Sequence, residues 1–218
     1  YYLSLSTAIS NVFIPRVHRM VAAEVNNGEL TSLLARVGRI QFMLLSLVCS
    51  GFILFGDSFF LMWAGNDYRG SYPITLLLIL PVTIPLVQNL GIEIQKAKNM
   101  HQFRSLVYLF VAIGNFLLSI PMAKRYGGVG SAWGTAIALL IGNGAVMNWY
   151  YHRRVGLDMK YFWGQIVKIV PSLIPPILVG LALGKSLNTD KIEWFLVAGL
   201  SYTTAFVVSL WFFGMNEY

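Results

Sequence analysis

Charge is what this sequence has least of: Asp, Glu, Lys and Arg make up 11% of its 218 residues, where a soluble domain carries about a quarter. So few polar side chains cannot cover a compact soluble surface, which excludes a soluble enzyme and, given the apolar content, a disordered tail. The single cysteine, Cys49, lies in mid-run, so neither a disulfide framework nor a thiolate metal site can form within the chain. The three histidines, His18, His101 and His152, have no partner at metal-ligand spacing. There is no GxSxG elbow and no pair of carboxylates in one loop, and Gly127-Gly128-Val129-Gly130 is not followed by the Lys-Ser/Thr of a phosphate loop. No catalytic residue, metal or cofactor is therefore assigned.

What is present is apolar. Hydrophobic residues make up 56% of the chain and the mean hydropathy is +0.64. They fall in runs of roughly 20, separated by short charged loops, the layout of an all-α, polytopic transmembrane protein. Six spans are expected near 40–62, 73–95, 105–122, 129–150, 166–184 and 193–213. At about 1.5 Å per residue these reach roughly 27 to 35 Å, enough for a hydrocarbon core near 30 Å. The opening stretch, about 1–14, is too short to span and has no signal-peptide pattern, so the sequence is expected to begin inside a transmembrane helix of a longer protein. Val17 to Arg39 is amphipathic and basic and is expected to lie at the membrane interface.

The net charge of +7 reads as topology rather than as a nucleic-acid footprint. Loops 15–39, 96–104 and 151–165, with Lys168 just beyond, hold 11 of the 16 Lys and Arg residues; the other three loops hold five. This places the first set and the C-terminus in the cytoplasm, although Lys124 and Arg125 run against the trend. Trp63, Tyr68, Tyr72, Tyr150, Tyr151, Trp163 and Trp194 sit near span ends, as an aromatic belt would.

The spans also carry polar and helix-bending residues. Pro81, Pro85, Asn89 and Glu93 are each four apart, so they are expected on one helix face, with Gln88 beside them. Two prolines bend the helix and free carbonyls. Such a face belongs toward a helix-lined interior or a wet cavity, unless Glu93 lies at the interface and pairs with Lys96 or Lys98. Gly130, Gly134, Ala138 and Gly142 form a four-residue stripe of small side chains along which another helix can approach closely. Pro171, Pro175, Pro176, Gly180 and Gly184 interrupt span 166–184 in the same manner. Asn115, Asn143 and Asn148 are intramembrane amides that serve either a substrate or a neighbouring helix.

Four stretches, in this order and spacing, resemble the C-terminal half of a polysaccharide flippase of the O-antigen and capsule type, within the multidrug/oligosaccharidyl-lipid/polysaccharide exporter superfamily. They are Phe13-Ile14-Pro15-Arg16-Val17, closing a span; Trp63-Ala64-Gly65-Asn66-Asp67-Tyr68, an outer loop; Gln95-Lys96-Ala97-Lys98-Asn99, a lysine turn; and Tyr126 to Thr135, a glycine-rich helix start. The resemblance implies a two-lobe transporter of about 12 to 14 helices. Residues 1–150 would be most of the second lobe and 151–218 two accessory C-terminal helices. It further implies a bacterial inner-membrane protein that moves undecaprenyl-pyrophosphate-linked oligosaccharide outward for surface polysaccharide, O-antigen or capsule. The bilayer and polysaccharide-polymerase machinery would be its other partners.

On that reading Gln88, Asn89, Glu93, Asn115 and Asn143 line the substrate pathway, while Arg16 and Arg39 either recruit the pyrophosphate at the cytoplasmic mouth or only set topology. Pro81, Pro85, Gly130, Gly134 and Gly142 serve bending and packing. The competing readings are a cation-coupled multidrug or metabolite exporter using Glu93, a lipid II flippase, and a membrane-embedded polysaccharide enzyme. The last is disfavoured by outer loops of about ten residues without histidine.

Overall fold

Long apolar runs become helices because hydrocarbon offers backbone N–H and C=O groups no partner outside their own segment. The computed structural model describes residues 1–214, and among them every regular element is helical. The chain's C-terminal end, expected on the cytoplasmic side, lies outside the described residues. Helix α1 covers Tyr2–Ala22, α2 Asn27–Trp63, α3 Ser71–Val87 and α4 Asn89–Ala97. Three further helical segments follow: α5, Gln102–Val155; α6, Met159–Ser186; and α7, Ile192–Gly214.

Segments α2, α5, α6 and α7 are each long and apolar enough to cross a membrane, and the bent pair α3–α4 makes a fifth. The 54 residues of α5 are not one rod. Gly127, at φ 60° and ψ −143°, reverses the chain. The six expected spans correspond to these five segments, with α5 contributing two antiparallel arms.

The chain divides into two compact units that interleave in sequence: residues 1–42 with 77–166, and 43–76 with 167–218. In the first unit α1 runs back along the start of α2. Gln41 Nε2 donates to the Ser6 carbonyl at 3.0 Å and to Ser10 Oγ at 2.8 Å. The same helix lies parallel to the second half of α3, through Tyr2 with Thr83 (2.7 Å) and Ser6 Oγ donating to the Leu86 carbonyl (2.6 Å). Leu30, Leu34, Leu90, Ile94, Met147, Tyr151 and Phe162 fill the core of this unit, all fully buried.

Two sequence expectations need correction here. Val17 to Arg39 is not an interfacial helix. Residues 17–22 finish α1, which passes straight through Pro15 instead of ending there; Glu24, at φ 51°, turns the chain; and 27–39 open α2. The apolar stripe Leu30, Leu33, Leu34 and Val37 packs into the core rather than against lipid headgroups. Nor do Pro81, Pro85, Asn89 and Glu93 share one straight face, because the helix breaks at Gln88 and bends by 41°.

In the second unit Phe55, Ala198, Tyr202 and Phe206 form a buried cluster, with Phe55 edge-on to Tyr202 at 5.8 Å. The Tyr202 hydroxyl bonds Ser50 Oγ at 2.6 Å, and Ser209 Oγ donates to the Ser172 carbonyl at 2.6 Å. Tyr202→Phe keeps the ring packing and loses one bond. It is expected to cost about 1 kcal/mol, against roughly 3 to 5 for Tyr202→Ala, by analogy with buried Phe and Trp. Thermal melting of both variants in detergent checks this; equal losses would mean that the hydroxyl, not the ring, carries the contact.

Candidate functional site

The polar side chains of the first unit converge where α3 gives way to α4. Pro81 and Pro85 lack the N–H that an α-helix needs at those positions, and three residues after Pro85 the ladder gives out. Gly91 N–H bonds the Gln88 carbonyl at 2.8 Å in a tightened turn, and the Leu86 carbonyl just before the break accepts from the Ser6 hydroxyl. Gln88, 2% exposed, turns its amide toward the second arm of α5. There its Nε2 donates to Asn148 Oδ1 at 2.9 Å.

Asn148 is the hub of the cluster. The same Oδ1 accepts a second bond from Trp163 Nε1 at 2.7 Å. Its Nδ2 donates to the carbonyls of Asn143 and Gly144 at 3.0 and 2.9 Å. The helix is widened over 140–146, which lets one amide reach two carbonyls of the preceding turn. With Gln41, Ser6 and Ser10 close to the Leu86 end, a seam of amides and hydroxyls ties α1, α2, the α3–α4 break, α5 and the start of α6 together.

The residues singled out from sequence separate in the structure. Gln88 and Asn143 belong to the seam, Asn143 through its carbonyl. Asn115 stays within the α5 hairpin, where its Oδ1 accepts from Ser119 (2.6 Å) and Thr135 (3.1 Å). Glu93 makes the lysine pairing named above: its carboxylate bonds Lys96 Nζ at 2.8 Å. Asn89 begins α4 beside the break and is half-buried. Gly130, Gly134 and Gly142 face Met122, Ser119 and Val111 of the opposite arm, so the small-residue stripe is the hairpin's packing seam.

The two arginines expected at one mouth part company. Arg16 is exposed and lines a cleft of about 200 Å³ with Glu29, Ser32 and Arg36, between α1 and the start of α2. Arg39 is 5% exposed and donates to Gln165 Oε1 at 3.4 Å. Of the two, Arg16, now with Arg36, is the exposed one that an anion can reach.

Sequence reasoning missed two cationic contacts, one of them buried. Arg104 was assigned to a loop, yet it is 9% exposed, donates to the hydroxyls of Tyr151 (3.0 Å) and Tyr108, and stacks over the Tyr108 ring. The four-residue step from Arg104 to Tyr108 is the signal that places them on one face. Lys98 joins three segments by donating to Asn27 Oδ1 and to the Val155 carbonyl at 2.9 Å; desolvation lowers its pKa from the ordinary lysine value.

Chemically the seam is built of helix-to-helix bonds, with Gln41 Oε1 buried and left without a hydrogen-bond partner, and among the described residues no three His, Cys, Asp or Glu side chains converge as a metal site requires. The arrangement can hold a bent span in place, through side-chain bonds and the buried Leu90 and Ile94. No family model, curated protein or solved structure matches the chain.

Proposed function

We propose that this chain is part of a bacterial inner-membrane transporter, not an enzyme, that moves undecaprenyl-pyrophosphate-linked oligosaccharide to the outer leaflet for surface polysaccharide. Residues 1–150 would belong to one lobe of a two-lobe transporter and 151–218 would add accessory helices. The observation that carries the reading is the broken span at Gln88, bent by 41°.

A lipid-linked sugar has a polar head to take through a low-dielectric core while its chain stays in lipid. That task calls for a movable helix with polar lining rather than a reactive group. The break supplies an element of this kind. Its two halves are joined by a single non-helical residue, and its position is held by the Gln88–Asn148 and Ser6–Leu86 bonds. Such bonds in membrane interiors are worth only about 0.6 kcal/mol on average, so the cost of changing the bend lies chiefly in repacking Leu90 and Ile94. Arg16 and Arg36, flanking a cleft among the loop cations, suit the pyrophosphate.

The test is deletion of the gene in its native bacterium. Undecaprenyl-linked repeat units should accumulate on the cytoplasmic leaflet and surface polysaccharide should disappear, both restored by a plasmid copy. Unchanged polysaccharide together with new sensitivity to small cationic compounds would replace this reading with the exporter. For that alternative Glu93 is a poor coupling group while it is paired with Lys96, and Glu93→Gln should leave transport unaffected.

A further inference from the structure

Two hollows meet at Phe103 on the α5 hairpin, both within the first unit. One is an apolar groove of about 330 Å³ between the arms, lined by Phe103, Phe110, Gly114 and Leu118 on the first and Ile141 and Val146 on the second. The other is a polar cleft of about 460 Å³, with Asn99, Gln102, Trp149 and Arg154 around the stacked rings of Phe103 and Tyr150, whose centroids are 4.0 Å apart. Phe103 lines both, so the greasy and the polar space adjoin at one side chain.

The dimensions and chemistry fit one kind of occupant. Phe103 to Leu118 is about 22 Å of helix at 1.5 Å per residue, more than the roughly 15 Å depth of a single leaflet's hydrocarbon. A position above Gly114 is open, since a Cβ there would meet no atom within 4 Å. At the polar end Arg154 is, among the described residues, the one charged side chain lining the cleft, and no described acidic residue lines it. Trp149 is 53% exposed beside it, the setting in which an indole sits at headgroup depth.

We propose that these adjoining hollows together bind a membrane lipid, specifically an anionic phospholipid. One acyl chain lies in the groove between the arms, and the phosphate sits on Arg154 with Gln102 and Asn99 as donors. A single lining cation matches the single charge of a phosphodiester, whereas a pyrophosphate would bring a second charge with no partner in the cleft. The site therefore does not depend on the transport reading and is distinct from its cargo.

The experiment uses the full chain in phosphatidylcholine liposomes doped with either phosphatidylglycerol or phosphatidylcholine bearing a photoreactive group near one chain end, with adducts mapped by peptide. Phosphatidylglycerol should label residues 106–118 several-fold more than phosphatidylcholine. Arg154→Gln should cut that preference about fivefold, the effect of one basic residue near a lipid surface, and Arg154→Lys should restore most of it. Gly114→Leu, which fills open space, should lower labelling by both lipids. Equal labelling by both lipids that ignores Arg154→Gln would overturn the proposal, leaving ordinary lipid contact. So would labelling that a polyprenyl phosphate competes away and unlabelled phosphatidylglycerol does not, or an absence of adducts because protein covers the groove.

Discussion

Gly130→Ala, the addition of one methyl group, is expected to destabilise the protein by about 3 kcal/mol, the upper end of what overpacking costs. A Cβ at Gly130 would stand 2.0 Å from the carbonyl oxygen of Met122 and 2.5 Å from its carbon. Both are backbone atoms of the opposite arm, so no rotamer change relieves the clash and the arms must separate. Gly134 comes next, with its Cβ at 2.5 Å from Ser119 Oγ but also 2.8 Å from Ser119 Cα. Gly142 should be the mildest of the three, because its nearest obstacle, Val111 Cγ2 at 2.1 Å, belongs to a side chain that can turn. Gly127→Ala is a control of a different kind. Its Cβ would touch nothing, and its cost of roughly 1 to 3 kcal/mol comes only from a φ of 60° with ψ of −143°. Thermal melting of the four alanine variants should rank Gly130 worst and Gly142 mildest among the stripe; a reversed order would mean that the arms do not meet along it.

That seam was legible in the sequence because a four-residue period of small side chains has one geometric meaning on a helix. The spans were legible for the same reason, since an apolar run of about 20 residues has few other uses. The turn between α1 and α2 was misread although its signal was present. Asn26-Asn27-Gly28 is turn chemistry, and Asn26 Oδ1 does accept from the Gly28 N–H at 3.0 Å. The basic, amphipathic pattern on both sides outweighed it. Amphipathicity reports that one face is buried, but not whether the burying surface is lipid or protein.

The break at Gln88 shows a different limit. The prolines announce a weak ladder, but where it gives way is decided by groups 80 and 60 residues distant, Ser6 on the Leu86 carbonyl and Asn148 on the Gln88 amide. Long-range partners of this sort leave no local pattern. Arg16 and Arg39 make the same point with charge: both count equally toward topology, yet one lines a cleft and the other is buried against Gln165. Which face of a helix a cation occupies matters more to its chemistry than which loop it belongs to.

Asn148→Leu carries the second large effect. The substitution keeps the volume and removes the one acceptor shared by Gln88 Nε2 and Trp163 Nε1. Two donors are left without it, each worth about 1 kcal/mol or more when orphaned, so a loss of about 2 kcal/mol is expected. Gln88→Leu alone should cost less, since Asn148 still accepts from Trp163 and still donates to the carbonyls of Asn143 and Gly144. In the double variant Gln88→Leu/Asn148→Leu the Gln88 donor no longer exists to be orphaned. The losses should then fall short of additivity by about 1 kcal/mol, beyond the 0.3 to 0.5 within which independent sites add. Additive losses would mean that the two amides do not meet, and the α3–α4 bend would lose its anchor on α5. Because the same bond positions the bent span, the proposed function predicts that Asn148→Leu also abolishes polysaccharide export at temperatures where the protein remains folded, while Tyr202→Phe, which removes a hydroxyl bonded to Ser50 within the second unit, does not.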